Sequence, residues 1–201
     1  ESFYHEMKKI ITSEKLGQIQ SVHVYYGAGI TNTGSHIFDL LRYFFGEITS
    51  VLSKKSKSIS PNPLDPNLDV VLEFSQNFNG HLHALDISNY GICEFDIFGA
   101  NGRLKVDLLT NQANYFQVNS NSHDYKILSL EKSFIDSSKK SGTILGIENL
   151  ISCINSNDIP LCNGYDGYKS LELISASIMS ASKKTVINLP LETNSYKINS
   201  K

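Results

Sequence analysis

Apolar residues recur along this chain at two spacings, one helical and one of period two, and the switches between them predict its elements. Phe3, Met7, Ile10 and Ile11 mark one stripe of a helix over Phe3–Ser13, which Gly17 stops. Gln18–Tyr26 then alternates as a strand, with Ile19 and Val22 to Tyr26 at its centre. Ile37, Leu40, Leu41, Phe44 and Phe45 fall at i, i+3, i+4, i+7 and i+8, which predicts a helix over Ser35–Phe45. Gly46 follows as its C′ residue.

From there the period of two dominates. Strands are predicted over Val51–Ile59, Leu68–Ser75, His81–Ser88, Ile92–Phe98 and Arg103–Leu108, with weaker patterns over Tyr115–Asn119 and Tyr125–Leu130. Ser60–Asn67, SPNPLDPN, is too Pro-rich for anything but a loop. Gln76–Gly80 and Gly99–Gly102 read as hairpin connections. Lys132–Gly142 has no period and reads as a loop. The helical spacing returns over Thr143–Ser156, carried by Ile144, Ile147, Leu150, Ile151 and Ile154, and over Asp166–Ser182, carried by Leu171, Ile174, Ile178 and Met179. Asp166 is the expected N-cap of that last helix, and a short strand, Thr185–Leu189, ends at Pro190. Consecutive hairpins followed by helices predict one α+β domain over residues 1–201, an open, largely antiparallel sheet with helices on one face.

Composition narrows the function. A 40% hydrophobic chain of 201 residues supports an ordinary buried core, and a net charge of −2 provides no field to hold phosphate backbones or anionic membranes. Nucleic acid and membrane partners are therefore not expected, and Lys54, Lys55 and Lys57 read as a solvated strand face. Cys93, Cys153 and Cys162 form no C-x-x-C pair, which fits a reducing cytoplasm. Cys153 lies on an apolar stripe and reads as a small buried hydrophobe. No apolar run approaches a membrane span.

Candidate chemistry centres on VYYGAGITNTGSHIFDLLRYFFG, Val24–Gly46. Strand, Gly-rich turn and helix are laid out as in a phosphate-binding loop, and Gly29–His36 reads G-I-T-N-T-G-S-H. The Lys that such a loop needs to reach phosphates is Ser35 here, and His36 follows it. Four residues separate Gly29 from Gly34, so the dinucleotide fingerprint fails as well. With Ser35 or Thr33 as the cap, His36 stands in the first turn, where the helix dipole favours a neutral imidazole able to take a hydroxyl proton. Asp39 shares that side of the helix and is placed to orient the ring, and Asn32 offers an amide on the approach loop. The competing reading makes His36 and Asp39 polar cap residues on a solvated helix start. His81 and His83 have the i, i+2 spacing of some metal sites, but sequence places no third ligand and Asp86 is expected on the opposite face. An exposed or subunit-facing surface is the expectation for that pair. His5, His23 and His123 have no partner at an informative spacing.

One family resemblance draws these features together. LGQIQSVHVYYGAGITNTGSHIFDLLRYFFGEITSV resembles the start of the C-terminal domain of the glucose–fructose oxidoreductase, inositol dehydrogenase and rhizopine-catabolism (Gfo/Idh/MocA) family. Gly34, His36, Asp39, Gly46 and Glu47 match its G-x-H-x-x-D helix start and closing G-E. FDIFGANGRLKVD (Phe95–Asp107) resembles the family's strand–G-x-x-G–strand hairpin. NLISCINSNDIPLCNGYDGYKSLELISASIMSASKKTVINLPL (Asn149–Leu191) resembles its closing helix pair, short strand and Leu-Pro. The likeness runs from about Lys8 to Leu191. It implies a dihydrodipicolinate-reductase-like domain that binds a sugar or cyclitol on its helix-bearing side and forms a homodimer or homotetramer through the open sheet face. NAD or NADP would be held mainly by an N-terminal Rossmann domain, roughly 100–150 residues, with a Glu-Lys-Pro segment whose Lys helps the proton transfer. Nothing in the chain resembles that domain. The chain opens on Glu1, and the expectation is that this domain lies upstream and that the chain alone is inactive. By the resemblance, His36 contacts the reacting hydroxyl, while Asn32 stands where relatives commonly have Asp. An amide positions a hydroxyl but cannot act as a base. Asn32, Thr31, Asp39 and Tyr165 are the expected substrate-binding residues. A non-catalytic sugar-binding or dimerisation module is the alternative.

Overall fold

The computed structural model describes residues 2–119, 126–135 and 141–192. Nine strands form a single sheet among them: β1 (Ile19–Tyr26), β2 (Ile48–Lys55), β3 (Leu68–Phe74), β4 (Asn79–Ala84), β5 (Glu94–Gly99), β6 (Gly102–Asp107), β7 (Gln112–Asn119), β8 (Ile127–Ile135) and β9 (Ile187–Asn188). Their spatial order is β8-β7-β6-β5-β1-β4-β3-β2-β9. Each pairing is antiparallel except β1 with β4, which run parallel with Val24 opposite Leu82. The α+β class, the open sheet and its antiparallel bias are those expected.

Three of the four described helices, α1 (Ser2–Ile11), α2 (Asn32–Phe45) and α4 (Gly164–Lys183), cover one face of the sheet. Alternation along the strands makes this possible: Val22, Val24 and Tyr26 of β1 point inward and are fully buried, while His23 and Tyr25 point outward. The stripes of α1 (Phe3, Met7, Ile10, Ile11) and α2 (Ile37, Phe38, Leu41, Phe44, Phe45) complete this core. The buried face of α4 is partly polar and docks through hydrogen bonds: Ser180 Oγ accepts from the Ser53 N–H of β2 at 2.9 Å, and Ser53 Oγ donates to the Ser177 carbonyl.

Several boundaries differ from the expectation. Asn163, not Asp166, caps α4, and Asp166 is the third helical residue, completing a capping box. The strand predicted over Val51–Ile59 is shifted to Ile48–Lys55, and that over His81–Ser88 to Asn79–Ala84. Part of the loop expected over Lys132–Gly142 is the end of β8, which pairs with β7 through Ile135. Its backbone ladder supplies what its side chains, nearly all exposed, do not signal. The larger departure concerns α3 (Gly142–Ser156). Its stripe Ile144, Ile147, Leu150, Ile151 and Ile154 is 48–71% exposed, so it does not serve this core. Cys153 is the one buried residue of the helix, as expected of a small hydrophobe.

Candidate active site

The Gly-rich stretch between β1 and α2 is a clamped bend. Ala28 and Gly29 adopt positive φ (61° and 89°), turning the chain from strand to helix within a few residues. The Pro-rich loop Ser60–Asn67 holds the bend. Asn67 Oδ1 accepts from the Gly29 N–H at 2.9 Å, and the Pro66 carbonyl accepts from the Ile30 N–H at 3.0 Å. Asp65, 4% exposed, then accepts from the N–H groups of Thr31 (2.8 Å) and Asn32 (2.9 Å), one on each carboxylate oxygen. A Cβ at Gly29 would lie 2.2 Å from the Asp65 carboxyl carbon, so only glycine permits this approach. The helix N-terminus that would cradle a phosphate already carries an anion of the protein's own. That occupancy excludes the phosphate-loop reading more firmly than the missing Lys does.

The same geometry corrects the position of His36. The helix starts at Asn32, with Thr31 at its N-cap, and not at Thr33 or Ser35. Ser35 Oγ donates back to the Asn32 carbonyl at 2.7 Å. His36 is therefore in the second turn, beyond the first-turn N–H groups, and the dipole argument for it loses its footing. Its exposure is what remains. Asn32, His36 and Asp39 lie at i, i+4 and i+7 along one side of α2, with Asn32 and His36 exposed and Asp39 half-buried. Thr31 stands at the head of this row.

Asp39 opens onto a charged cluster shared with α4. Burial pushes its carboxyl above the ordinary carboxylate range, the nearby Asp166 charge adds to the rise, and Arg42 and His36 oppose it. Arg42 is turned into this cluster. Its side chain is 9% exposed, donates to Glu47 at 2.7 Å, and lies at ion-pair distance from Asp166, 3.6 Å. Its buried Nε finds no acceptor among the described residues. Tyr165, 59% exposed, has its ring 6.0 Å from the Arg42 guanidinium. Arg42 is six residues beyond His36, about 9 Å along the helix axis, so Tyr165 flanks the row at its far end. Tyr43 is turned to α1, where its hydroxyl meets His5 Nδ1 at 3.1 Å. Sequence reasoning missed Cys162. Its exposed thiol is pushed up by burial and then by the charges of Asp39 and Asp166, which places it beside this cluster. It also missed Asp65 and Asn67, whose one signal was a pair of side-chain acceptors around Pro66 in a loop that had to pack somewhere.

The opposite face of the sheet carries histidines instead. His81 and His83 are half-buried there, and His23 joins them, contrary to its expected isolation. The His23 ring stacks on His81 at 4.8 Å and on His83 at 5.8 Å between centroids. Their planes are nearly parallel, and no group of three or more His, Cys, Asp or Glu among the described residues is arranged to hold an ion. Asp86 lies outside β4, which ends at Ala84, so the face expected for it does not arise. His123 is outside the described residues. No described helix is long and apolar enough to cross a membrane.

Levoglucosan dehydrogenase in complex with NADH superposes with a TM-score of 0.74 at 16% identity, covering 94% of this chain and 65% of that one. WlbA dehydrogenase from Bordetella pertussis, in complex with NADH and UDP-GlcNAcA, gives 0.71 at 20% identity, with 94% and 60% covered. An NAD-binding oxidoreductase from Klebsiella pneumoniae gives 0.71 at 15%, with 94% and 63% covered. The chain spans 60–66% of the length of such structures. No curated protein sequence matches it. The model of the oxidoreductase family's C-terminal α/β domain matches residues 8–189, nearly the whole chain, which therefore belongs to the Gfo/Idh/MocA oxidoreductase family and is its C-terminal domain.

Proposed function

We propose that this chain is the substrate half of an NAD(P)-dependent oxidoreductase acting on a carbinol of a sugar, cyclitol or related polyol. The observation that carries the proposal is the row Asn32–His36–Asp39, its first two members exposed, held on a helix start that Asp65 and Asn67 immobilise. Oxidising a carbinol removes a hydride from carbon and a proton from oxygen. The proton is the share of this chain. His36 is assigned its acceptance, Asn32 the holding of a neighbouring hydroxyl as both donor and acceptor, and Thr31 a further hydroxyl contact. Asp39, one turn further along the same side of α2, is assigned the positioning of the imidazole. Tyr165 is assigned to the outer edge of the bound polyol.

The described residues do not fit a dinucleotide. Their one Gly-rich strand-to-helix turn is closed by Asp65, so NAD or NADP is assigned to a part of the protein outside residues 1–201. Titratable groups around the row favour an uncharged substrate. Arg42 is committed to Glu47 and Asp166, and Lys169 to Glu172 at 2.7 Å. A carboxylate or phosphate group would therefore meet Asp39 and Asp166 with no uncommitted cation among these groups. A panel of neutral sugars, cyclitols and sugar acids, offered to the full-length gene product with both cofactors, tests the reading. Turnover of a neutral polyol is expected, and inactivity with every carbinol overturns it. The open face, lined by His23, Tyr25, His81 and His83, is assigned to homo-oligomer contacts.

A further inference from the structure

The helix α3 is built for a partner that the described residues do not supply. Ile144, Ile147, Leu150, Ile151 and Ile154 are each about half exposed or more, and Ile159 and Leu161 just beyond extend the surface at 75% and 74%. A 15-residue helix is marginal on its own propensity, and its stability comes from burying an apolar stripe. Only Cys153 is buried. Glu148 is the single charged residue of the helix and it has no Lys or Arg, so nothing in it attracts an anionic lipid surface. A protein surface is the matching chemistry. Its position is also informative. Asn149 Oδ1 accepts from the Leu161 N–H at 3.1 Å, tying the following loop to α3. That loop carries Cys162 to the Asp39–Asp166 cluster and ends in the Asn163 cap of α4. The apolar surface thus runs from α3 toward the Asp39–Asp166 cluster.

We infer that the α3 stripe docks the cofactor-holding part of the same polypeptide, a segment outside residues 1–201, and so sets the distance between cofactor and His36. The inference rests on the proposed function for the identity of that segment. Similar structures extend by 34–40% of their length beyond the part this chain covers, which leaves room for such a segment. The test is hydrogen exchange of residues 142–156 in the full-length gene product and in the 201-residue chain. Amide exchange there is expected to be at least tenfold slower in the full-length protein, because docking suppresses local opening of the helix. Replacing Ile147 and Leu150 together by Lys should abolish that difference and raise the Michaelis constant for cofactor at least fivefold. The far-UV spectrum of the 201-residue chain should stay unchanged, since both side chains are exposed in it. Equal exchange in the two proteins, or a gene that encodes no further domain, overturns the inference. So does concentration-dependent protection in the 201-residue chain alone, which would make a second copy the occupant. Slowed exchange without turnover of any polyol would instead refute the proposed substrate reaction and leave the docking surface standing.

Discussion

Replacing Asp65 by Ala removes the acceptor of two backbone N–H groups at once, those of Thr31 and Asn32. A donor left buried without an acceptor costs about 1–3 kcal/mol. Asp65 is 4% exposed, and Thr31 is half-buried, so the first loss is close to full. Asn32 is exposed, and water takes over part of the second. The sum is about 3 kcal/mol, which for a chain of this size lowers the melting temperature by roughly 6–12 °C. Equilibrium urea unfolding measures the cost directly, as a lower midpoint at unchanged slope. Asp65→Asn keeps one acceptor oxygen and should cost about half as much. The Ala variant also frees the helix N-terminus for an external anion. Sulfate at ten times its dissociation constant would then restore about 1.4 kcal/mol, over and above its general effect on the native protein. A cost below 0.5 kcal/mol, or equal stabilisation of both proteins by sulfate, would refute the idea that this carboxylate fills the anion site.

Two further outcomes follow from charge placement. His23 and His81 are held below the ordinary imidazole range, chiefly by burial and then by neighbouring histidines, while Asp96 partly offsets the shift at His23. The unfolded chain thus binds protons more readily, and stability rises with pH through this window. Urea midpoints should be level above pH 7, fall as pH drops below about 6.5, and fall less in His23→Gln and His81→Gln; an unchanged slope against pH in both variants contradicts the stacked arrangement. Asp39 has the opposite sign. Its folded-state carboxyl titrates higher than the unfolded one, so its charge destabilises the fold as pH rises out of the carboxylate range. Asp39→Asn should raise the urea midpoint at pH 7 slightly, by well under 1 kcal/mol because half the group is screened by solvent, while lowering turnover. A loss of stability in that variant would assign Asp39 to the fold alone.

Local periodicity carried most of the fold. The stripes of α1 and α2 and the alternation of β1 and β4 were readable because each buried face repeats at the period of its own element. What escaped were relations between distant segments. Asp65 caps a helix more than thirty residues earlier in the chain, and nothing local marks a loop carboxylate as a cap. That distant cap, not a Ser or Thr of the helix itself, is why α2 begins at Asn32 and why His36 lies a turn further in. His23 joins His81 and His83 only through the parallel β1–β4 register. The stripe of α3 was legible as apolar but not as uncovered, since periodicity shows that a face seeks burial and not what buries it. The His36 row came through a helical spacing that a family resemblance made specific. Cys162 and Asp166 joined its cluster only through the packing of α4 on α2.

Steady-state kinetics of His36→Ala in the full-length protein, using the best neutral polyol of the panel, tests the central claim most directly. On the proposed role, removing the imidazole should lower kcat by about 10²-fold or more, with cofactor affinity and the urea midpoint unchanged because the side chain is exposed. A kcat within twofold of the parent would contradict the account and return His36 to the solvated surface of α2.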